Sequence, residues 1–158
     1  MKHGIKVLMC ALLAFMVSFS SASAFSFGGK RFKNLTPEKG GEVVRIPVAS
    51  ISDDKAHYFR VKTDDGTFLE FFTVRSADGV IRLAVDACDV CYKAGRGYTK
   101  EGNVMVCENC GMRFPLSRIN VVKGGCNPAP LTRKVEGEYL VLTMEEIKQN
   151  LWYMAYRR

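Results

Sequence analysis

The sequence predicts a mostly β protein, built from antiparallel sheets or a small barrel, with two Cys-x-x-Cys loops and a C-terminal helix. Three observations lead to this fold class. Short runs of β-branched and aromatic residues alternate with turn signals. Four cysteines occur as two closely spaced pairs. Apolar residues at helical spacing are confined to the end of the chain, so one terminal helix is expected.

The predicted strands are short segments that begin after residue 41. Turn signals such as Asp64-Asp65-Gly66 and Ser76-Ala77-Asp78-Gly79 separate neighbouring runs, and such short connections join antiparallel strands. The predicted strands cover residues 42–48, 56–62, 67–75, 80–85, 104–106, 131–135 and 138–142.

The predicted helix begins at Thr143. This residue as N-cap, with Glu146 three residues later, matches a capping box, in which both side chains accept from backbone N–H groups. Four apolar residues at helical spacing then predict a face packed on the sheet: Met144, Ile147, Leu151 and Met154.

The first 24 residues have the layout of a secretory signal peptide. Lys2 and Lys6 provide a positive flank, residues 7–17 are apolar throughout, and Ala22-Ser23-Ala24 matches the cleavage motif. We therefore expect an exported protein, in the periplasm or at the outer face of the cytoplasmic membrane. An uncleaved N-terminus that associates with the membrane is the alternative.

The positive charge of the chain does not predict nucleic-acid binding. The net charge of +7 falls to +5 without residues 1–24, which hold Lys2 and Lys6 and no acid. The remaining excess is scattered among acidic residues and predicts a solvated basic surface. Residues 25–41 are rich in Gly, Lys and Phe and are predicted to be a flexible lead-in, and residues 42–158 a single domain.

Two Cys-x-x-Cys pairs carry the strongest chemical signal. Cys88 and Cys91 form the first pair, and Cys107 and Cys110 the second, with fifteen residues between the pairs. Two residues between thiolates let one tight loop present both sulfurs to one ion, and two such loops supply the ligands of a zinc ribbon or an iron–sulfur cluster. Two disulfides with a spare thiol are the alternative, although a Cys-x-x-Cys disulfide closes a very small loop and gains little stability.

Two further residues are candidates for an additional metal or redox role. Cys126 follows Gly124-Gly125 and precedes Asn127-Pro128, so its loop permits close backbone approach and has a stiff exit. It is a candidate fifth ligand, a disulfide partner in the metal-free form, or a buried thiol. His57 lies in a predicted strand and is either a second-site ligand or a structural residue. No catalytic residue is predicted, because no nucleophile elbow or His-Glu-x-x-His motif is present.

The cysteine motifs resemble the FtrD-like domain family, also called membrane iron-sulfur containing protein. The resemblance extends over about residues 41–143. It rests on Asp86-Ala87-Cys88-Asp89-Val90-Cys91, Gly97-Tyr98, Val106-Cys107-Glu108-Asn109-Cys110-Gly111-Met112-Arg113-Phe114-Pro115 and Gly124-Gly125-Cys126-Asn127-Pro128-Ala129-Pro130-Leu131. It implies cluster ligation by Cys88, Cys91, Cys107 and Cys110. It also implies an electron carrier or metal-binding protein, with membrane-bound iron permease or redox components as partners. We expect no enzyme activity, and a subunit of an oxidoreductase is the alternative.

A weaker, topological likeness is to Rieske-type domains, in which two metal-binding loops follow strands and a Gly/Pro-rich loop precedes a last hairpin. Here residues 124–131 and 138–142 fall in the corresponding order, but the ligands are all cysteines, which would lower the potential of a [2Fe–2S] cluster. The leading interpretation is an electron-transfer protein with a [2Fe–2S] or [4Fe–4S] cluster, linked to iron uptake or a related redox step. The rivals are a structural zinc-ribbon module that holds Zn²⁺ and a metallochaperone, both without redox chemistry.

Overall fold

The computed structural model of the protein describes residues 32–157. The predicted signal peptide and the first part of the predicted lead-in lie outside these residues. The described chain contains ten strands and one α-helix: β1 Lys33–Leu35, β2 Val43–Pro47, β3 His57–Lys62, β4 Phe68–Arg75, β5 Ile81–Val85, β6 Tyr98–Glu101, β7 Val104–Cys107, β8 Arg113–Pro115, β9 Lys134–Glu136, β10 Tyr139–Thr143 and α1 Met144–Gln149.

The strands form three open sheets. A four-stranded sheet has the order β1-β3-β4-β5, and two three-stranded sheets have the orders β2-β10-β9 and β6-β7-β8. Every pairing is antiparallel except the parallel pair β1–β3. The prediction of a mostly β fold with antiparallel sheets is confirmed. The described strands do not close into a small barrel, because the outer edge of β5 is covered by a loop, where the Val85 N–H donates to the Ala129 carbonyl at 2.8 Å.

β4 separates two hydrophobic cores. Side chains alternate between the two faces of a strand, so Leu69 and Phe71 enter one core and Phe72 and Val74 enter the other. All four side chains are fully buried, which explains why this strand reads as a nearly continuous apolar run.

The two cores have different roles. The first joins the four-stranded sheet to the sheet β2-β10-β9 and to α1, through residues such as Val44, Ile46, Leu140, Leu142 and Ile147. The second joins β4 and β5 to the sheet β6-β7-β8 and includes two cysteines among its buried members: Phe72, Val74, Ala84, Cys88, Tyr98, Met105, Cys107, Phe114, Leu116 and Ile119. The second core therefore positions the cysteine loops.

Part of the segment predicted as a flexible lead-in is a strand. Lys33–Leu35 pairs in parallel with residues 59–61 of β3. The pairing is supported by Phe32, whose ring lies 5.8 Å from that of Tyr58 and 5.1 Å from the guanidinium carbon of Arg60. The composition of this segment is typical of a loop and does not predict this strand, which depends on tertiary contacts such as those of Phe32.

The C-terminal helix begins where the sequence predicts but is shorter. The Glu146 N–H donates to the Thr143 Oγ1 at 3.2 Å, which confirms the N-cap. The Glu146 carboxylate does not return to Thr143 and instead accepts from the Thr132 N–H. α1 ends at Gln149, and a 3₁₀ turn, Leu151–Met154, continues the apolar face. No helix within residues 32–157 is long and apolar enough to cross a membrane.

Candidate metal centre

The first cysteine loop follows directly from β5. Its tight turn is closed by a hydrogen bond of 3.1 Å from the Tyr92 N–H to the Cys88 carbonyl. The Cys91 N–H points to the Cys88 sulfur at 3.2 Å, so the loop provides both the Cys88 thiol and a backbone donor to its sulfur. The Cys88 side chain is buried in the second core, and Cys91 is half-buried.

The second cysteine loop follows β7 and has the same construction. The Gly111 N–H donates to the Cys107 carbonyl at 2.8 Å, and Gly111 adopts a φ of +74°, which suits glycine. Backbone N–H groups of Asn109 and Cys110 donate to the Cys107 sulfur, and that of Met112 donates to the Cys110 sulfur. Such donors stabilise a thiolate, and they are a common feature of metal-binding Cys-x-x-Cys loops.

The third loop brings Cys126 to the other two. Asn127 folds the loop back by donating its N–H to the Gly124 carbonyl at 3.3 Å and its side-chain Nδ2 to the same atom at 3.0 Å. The chain then runs along the edge of β5, where the Ala129 N–H donates to the Ala87 carbonyl at 3.0 Å. Val85 at the end of β5 and Ala87 just after it are thereby fixed against the Cys126 loop.

The five cysteine sulfurs form two groups that share one member. The sulfurs of Cys88, Cys91 and Cys126 lie within 4.8 Å of one another. The sulfurs of Cys91, Cys107 and Cys110 also lie within 4.8 Å of one another, so Cys91 belongs to both groups. The structure thus brings both predicted pairs together and adds Cys126, whose role the sequence left open.

All five cysteines of residues 32–157 are free thiols, and they differ in exposure. Cys88 and Cys107 are buried, whereas Cys110 is exposed. Burial raises the pKa of the Cys107 thiol to about 12, while the Met112 N–H lowers the pKa of Cys110. Burial also raises the pKa of Cys126. Binding of a metal ion would therefore have to displace protons from the buried thiols.

Tyr98 connects the three cysteine loops and was not identified from the sequence as a site residue. It is fully buried, its Oη donates to the Cys126 carbonyl at 2.5 Å, and the same hydroxyl contacts the Cys88 thiol. As the first residue of β6 it is the register partner of Cys107. Its carbonyl accepts from the Tyr58 hydroxyl at 3.0 Å. Burial raises the pKa of Tyr98, so the phenol stays protonated and acts as a donor.

Asp86 supports the base of the first loop. This fully buried carboxylate accepts from the Tyr98 N–H at 2.8 Å. Gly97 lies against it so closely that a Cβ at position 97 would be 2.2 Å from the Asp86 Oδ2. The Gly97-Tyr98 dipeptide therefore allows the backbone to approach the carboxylate.

An ionic network connects Arg157, near the C-terminus, to Asp86 below the first cysteine loop. The Arg157 Nη2 donates to the Asp86 carbonyl and lies 3.3 Å from the Asp86 Oδ2. The Arg157 Nη1 lies 2.8 Å from the Glu70 Oε2, and Glu70 is also paired with Arg60. Buried charges need partners, so each ion in this network depends on the others.

His57 is not part of the cysteine cluster. Its Nε2 lies 2.5 Å from the Asp53 Oδ1, and it belongs to neither group of potential metal ligands found within residues 32–157. The structure therefore pairs this candidate ligand with the Asp53 carboxylate and not with the cysteines.

The donor set fits a thiophilic metal centre. Free thiols converge from three loops, backbone N–H groups point at sulfurs in both Cys-x-x-Cys turns, and one side of the cluster is closed by buried aromatic residues. Thiolate ligands select zinc, copper(I) or iron–sulfur clusters over magnesium and calcium.

One comparison with known proteins, the match to a family, agrees with this chemistry. No curated protein matches the chain. Among solved structures, a similar chain is the quaternary ammonium Rieske monooxygenase CntA in complex with an inhibitor, at 16% identity and a TM-score of 0.42, over 72% of this chain and 32% of that one. This chain thus spans about a third of that protein's length, and the similarity is too low to transfer its chemistry. The family described as "Membrane iron-sulfur containing protein FtrD-like" matches residues 51–154, and the protein belongs to this family.

Proposed function

We propose that the protein is an extracytoplasmic electron carrier whose cysteine cluster holds an iron–sulfur centre. The observation that carries the proposal is the convergence of five free thiols from three loops in a member of an iron–sulfur family. Cys88, Cys91, Cys107 and Cys110 would hold the centre, with Cys126 beside them. When bound, the cluster would supply reversible one-electron transfer.

The exposure of the site supports exchange of electrons with a partner. Cys110 is exposed, whereas the opposite side of the cluster is closed by the second core. Two apolar side chains near the cysteines are unusually accessible: Val90 is 63% exposed and Met112 is 52% exposed. Such a rim suits brief contact with a redox protein. From the family resemblance we propose membrane-bound redox or iron-permease components as partners and iron uptake as the context.

A structural zinc site is the second candidate, and one specific observation favours it. Sulfurs bound to one zinc ion at about 2.3 Å can be no more than ~4.6 Å apart. The sulfurs of each group lie within 4.8 Å of one another, so the three thiolates of a group need little movement to bind one zinc ion. A structural zinc module or metallochaperone of this geometry would need no redox chemistry.

The deciding experiment is metal, sulfide and redox analysis of the protein purified anaerobically from its native compartment. Iron with acid-labile sulfide and a reversible bleaching of the visible spectrum by dithionite are expected. Colourless protein with stoichiometric zinc would replace the electron-carrier proposal with the zinc module. Fractionation of the cells, with detection of the chain by mass spectrometry, tests the extracytoplasmic location and whether the chain starts at Phe25.

A further inference from the structure

An exposed aromatic and basic surface lies beside the first cysteine loop. Tyr92 follows Cys91 directly, and its ring contacts those of Trp152 at 5.1 Å and Tyr156 at 5.8 Å. The Lys93 Nζ lies 5.9 Å from the centre of the Tyr156 ring. We refer to Tyr92, Lys93, Trp152 and Tyr156 as the aromatic–basic face.

The rings of this face are accessible and held in place. Trp152 is 47% exposed and Tyr156 is 53% exposed. Trp152 stacks on Tyr153 with ring centroids 3.7 Å apart, and the Tyr153 hydroxyl donates to Asp89 at 2.5 Å. The exposed indole is thus connected through one buried residue to the Cys88–Cys91 loop.

The charge beside these rings is net positive. A groove of about 750 Å³ adjoins Tyr156, and Arg60, Lys93, Arg157 and Glu70 line it. The two arginines are paired with Glu70 and Asp86, so the net charge of this group is that of Lys93. Tryptophan and tyrosine with lysine and arginine are the residues that proteins place in the headgroup layer of a membrane. Anionic lipids attract such cations within the Debye length of the surface.

The described chain also begins at this groove. Phe32, its first residue, lines the groove together with Tyr156 and Arg157. Residues 1–31 precede it and include the apolar run 7–17, and Lys30 and Arg31 come directly before Phe32 in the sequence. The N-terminal end of the described chain and the aromatic–basic face are therefore on the same side of the molecule.

We propose that the aromatic–basic face rests on the anionic headgroup layer of a membrane, so that the Cys88–Cys91 loop is held next to the lipid surface. The ligand chemistry is that of acidic phospholipid headgroups, contacted by Lys93, with Trp152 and Tyr156 at the interface. This inference does not depend on which metal the cysteines bind, and it concerns the orientation of the domain rather than its redox chemistry.

Trp152 is the single tryptophan of the chain, so its fluorescence reports on this face alone. The full chain is added to vesicles of phosphatidylcholine with or without phosphatidylglycerol, each carrying a spin-labelled lipid that quenches nearby tryptophan. Because residues 7–17 can insert on their own, the readout is quenching of Trp152 and not binding. The matched control is the double variant Trp152→Phe, Tyr139→Trp, which moves the reporter to a 42%-exposed position of β10.

We expect quenching of Trp152 several-fold stronger in the anionic vesicles than in the neutral ones, and loss of that difference in Lys93→Glu. The reporter at position 139 should be quenched weakly in both. Equal quenching of the two reporters, or no effect of phosphatidylglycerol, would overturn the proposal. A shift of Trp152 emission with protein concentration in the absence of lipid would also overturn it, in favour of a second copy of the chain as the occupant. Metal content of each variant, measured in parallel, keeps this outcome separate from that of the electron-carrier proposal.

Discussion

The phenolic oxygen of Tyr98 donates a hydrogen bond of 2.5 Å to the backbone carbonyl of Cys126 and contacts the Cys88 thiol with the same hydroxyl. One buried side chain thereby fixes the distance between the Gly-rich loop and the first cysteine loop. Hydrogen bonds to the sulfurs are among the levers by which a protein sets the potential of an iron–sulfur cluster. Tyr98 is therefore a positioning residue for the centre.

The variant Tyr98→Phe should retain its metal and lower the reduction potential of the iron-loaded protein, because a hydrogen bond to sulfur stabilises the more negative reduced state. The loss should also cost about 1–3 kcal/mol of unfolding free energy, since the Cys126 carbonyl loses its partner. Protein-film voltammetry and urea unfolding measure the two effects.

The matched control for this change is Tyr58→Phe. The Tyr58 hydroxyl donates to the Tyr98 carbonyl at 3.0 Å, so this variant loses a half-buried hydrogen bond next to the site. It should lose stability without changing the potential. A potential that moves equally in both variants would mean that Tyr98 acts only through packing.

Removal of single thiols should separate the roles of the cysteines. Cys91→Ser should empty the site, because Cys91 belongs to both groups of sulfurs. Serine at Cys88, Cys107 or Cys110 should have the same result, whereas Cys126→Ser should keep the metal and change its absorption spectrum. Metal stoichiometry per chain, with His57→Ala as the fully loaded control, checks this series. Loss of the metal in Cys126→Ser alone would place Cys126 among the ligands in place of one of the four.

Gly97→Ala tests the close approach between β6 and Asp86. A Cβ at position 97 would lie 2.2 Å from the Asp86 Oδ2, and the backbone φ is +70°. We expect a loss of about 1–2 kcal/mol from the left-handed backbone and a further ~1–3 kcal/mol from steric overlap.

Gly102→Ala is the control for backbone strain. Gly102 has a φ of +55° and nothing within 4 Å of the added Cβ, so only the first of the two costs applies. Chemical denaturation of both variants gives the difference. Equal losses would show that Asp86 moves away without cost, and that the approach is unimportant.

The ion network below the first cysteine loop predicts that substitution of Arg157 lowers the free energy of unfolding strongly. Arg157→Met leaves the buried carboxylates of Glu70 and Asp86 without this cation, and breaking a buried pair typically costs about 3–5 kcal/mol. Lys148→Met is the matched control, because its pair with Asp64 is exposed and should contribute little measurable stability. If thermal unfolding of the two variants is the same, the network is not stabilising.

Much of the fold could be predicted from the sequence, because six of the seven predicted strands bury apolar residues in patterns that belong to the strands themselves. The seventh was predicted at 131–135, whereas β9 is Lys134–Glu136 and its Val135 is exposed. Three short strands were missed: β1, β6 and β8. Each has three or four residues and at least one charged residue, so its conformation is decided by pairing with a neighbour. The helix start was predictable from a local cap, but its early end at Gln149 was not.

Only those parts of the candidate site that consist of residues close together in the sequence could be predicted. The spacing within each Cys-x-x-Cys pair identifies the two loops, but the position of Cys126 depends on contacts between its loop and β5. Arg157 supports the site from a position 71 residues from Asp86, so it does not stand out until the fold brings it there. Tyr98 lies between the two cysteine pairs and in a motif of the family resemblance, but its contacts with Cys88 and Cys126 depend on the fold.

The metal-free protein should react with iodoacetamide in an order set by burial and by pKa. The thiolate is the reactive form. Cys110 should be alkylated first at pH 8, because it is exposed and the Met112 N–H lowers its pKa. Cys107 should be alkylated much later, since burial both shields it and raises its pKa to about 12. Raising the pH towards 10 should reduce the difference between the alkylation rates of the two thiols. The thiolate fraction of Cys107 still grows at that pH, whereas that of Cys110 has saturated. Peptide mass spectrometry gives the order, and alkylation of Cys107 ahead of Cys110 would contradict the proposed asymmetry of the site.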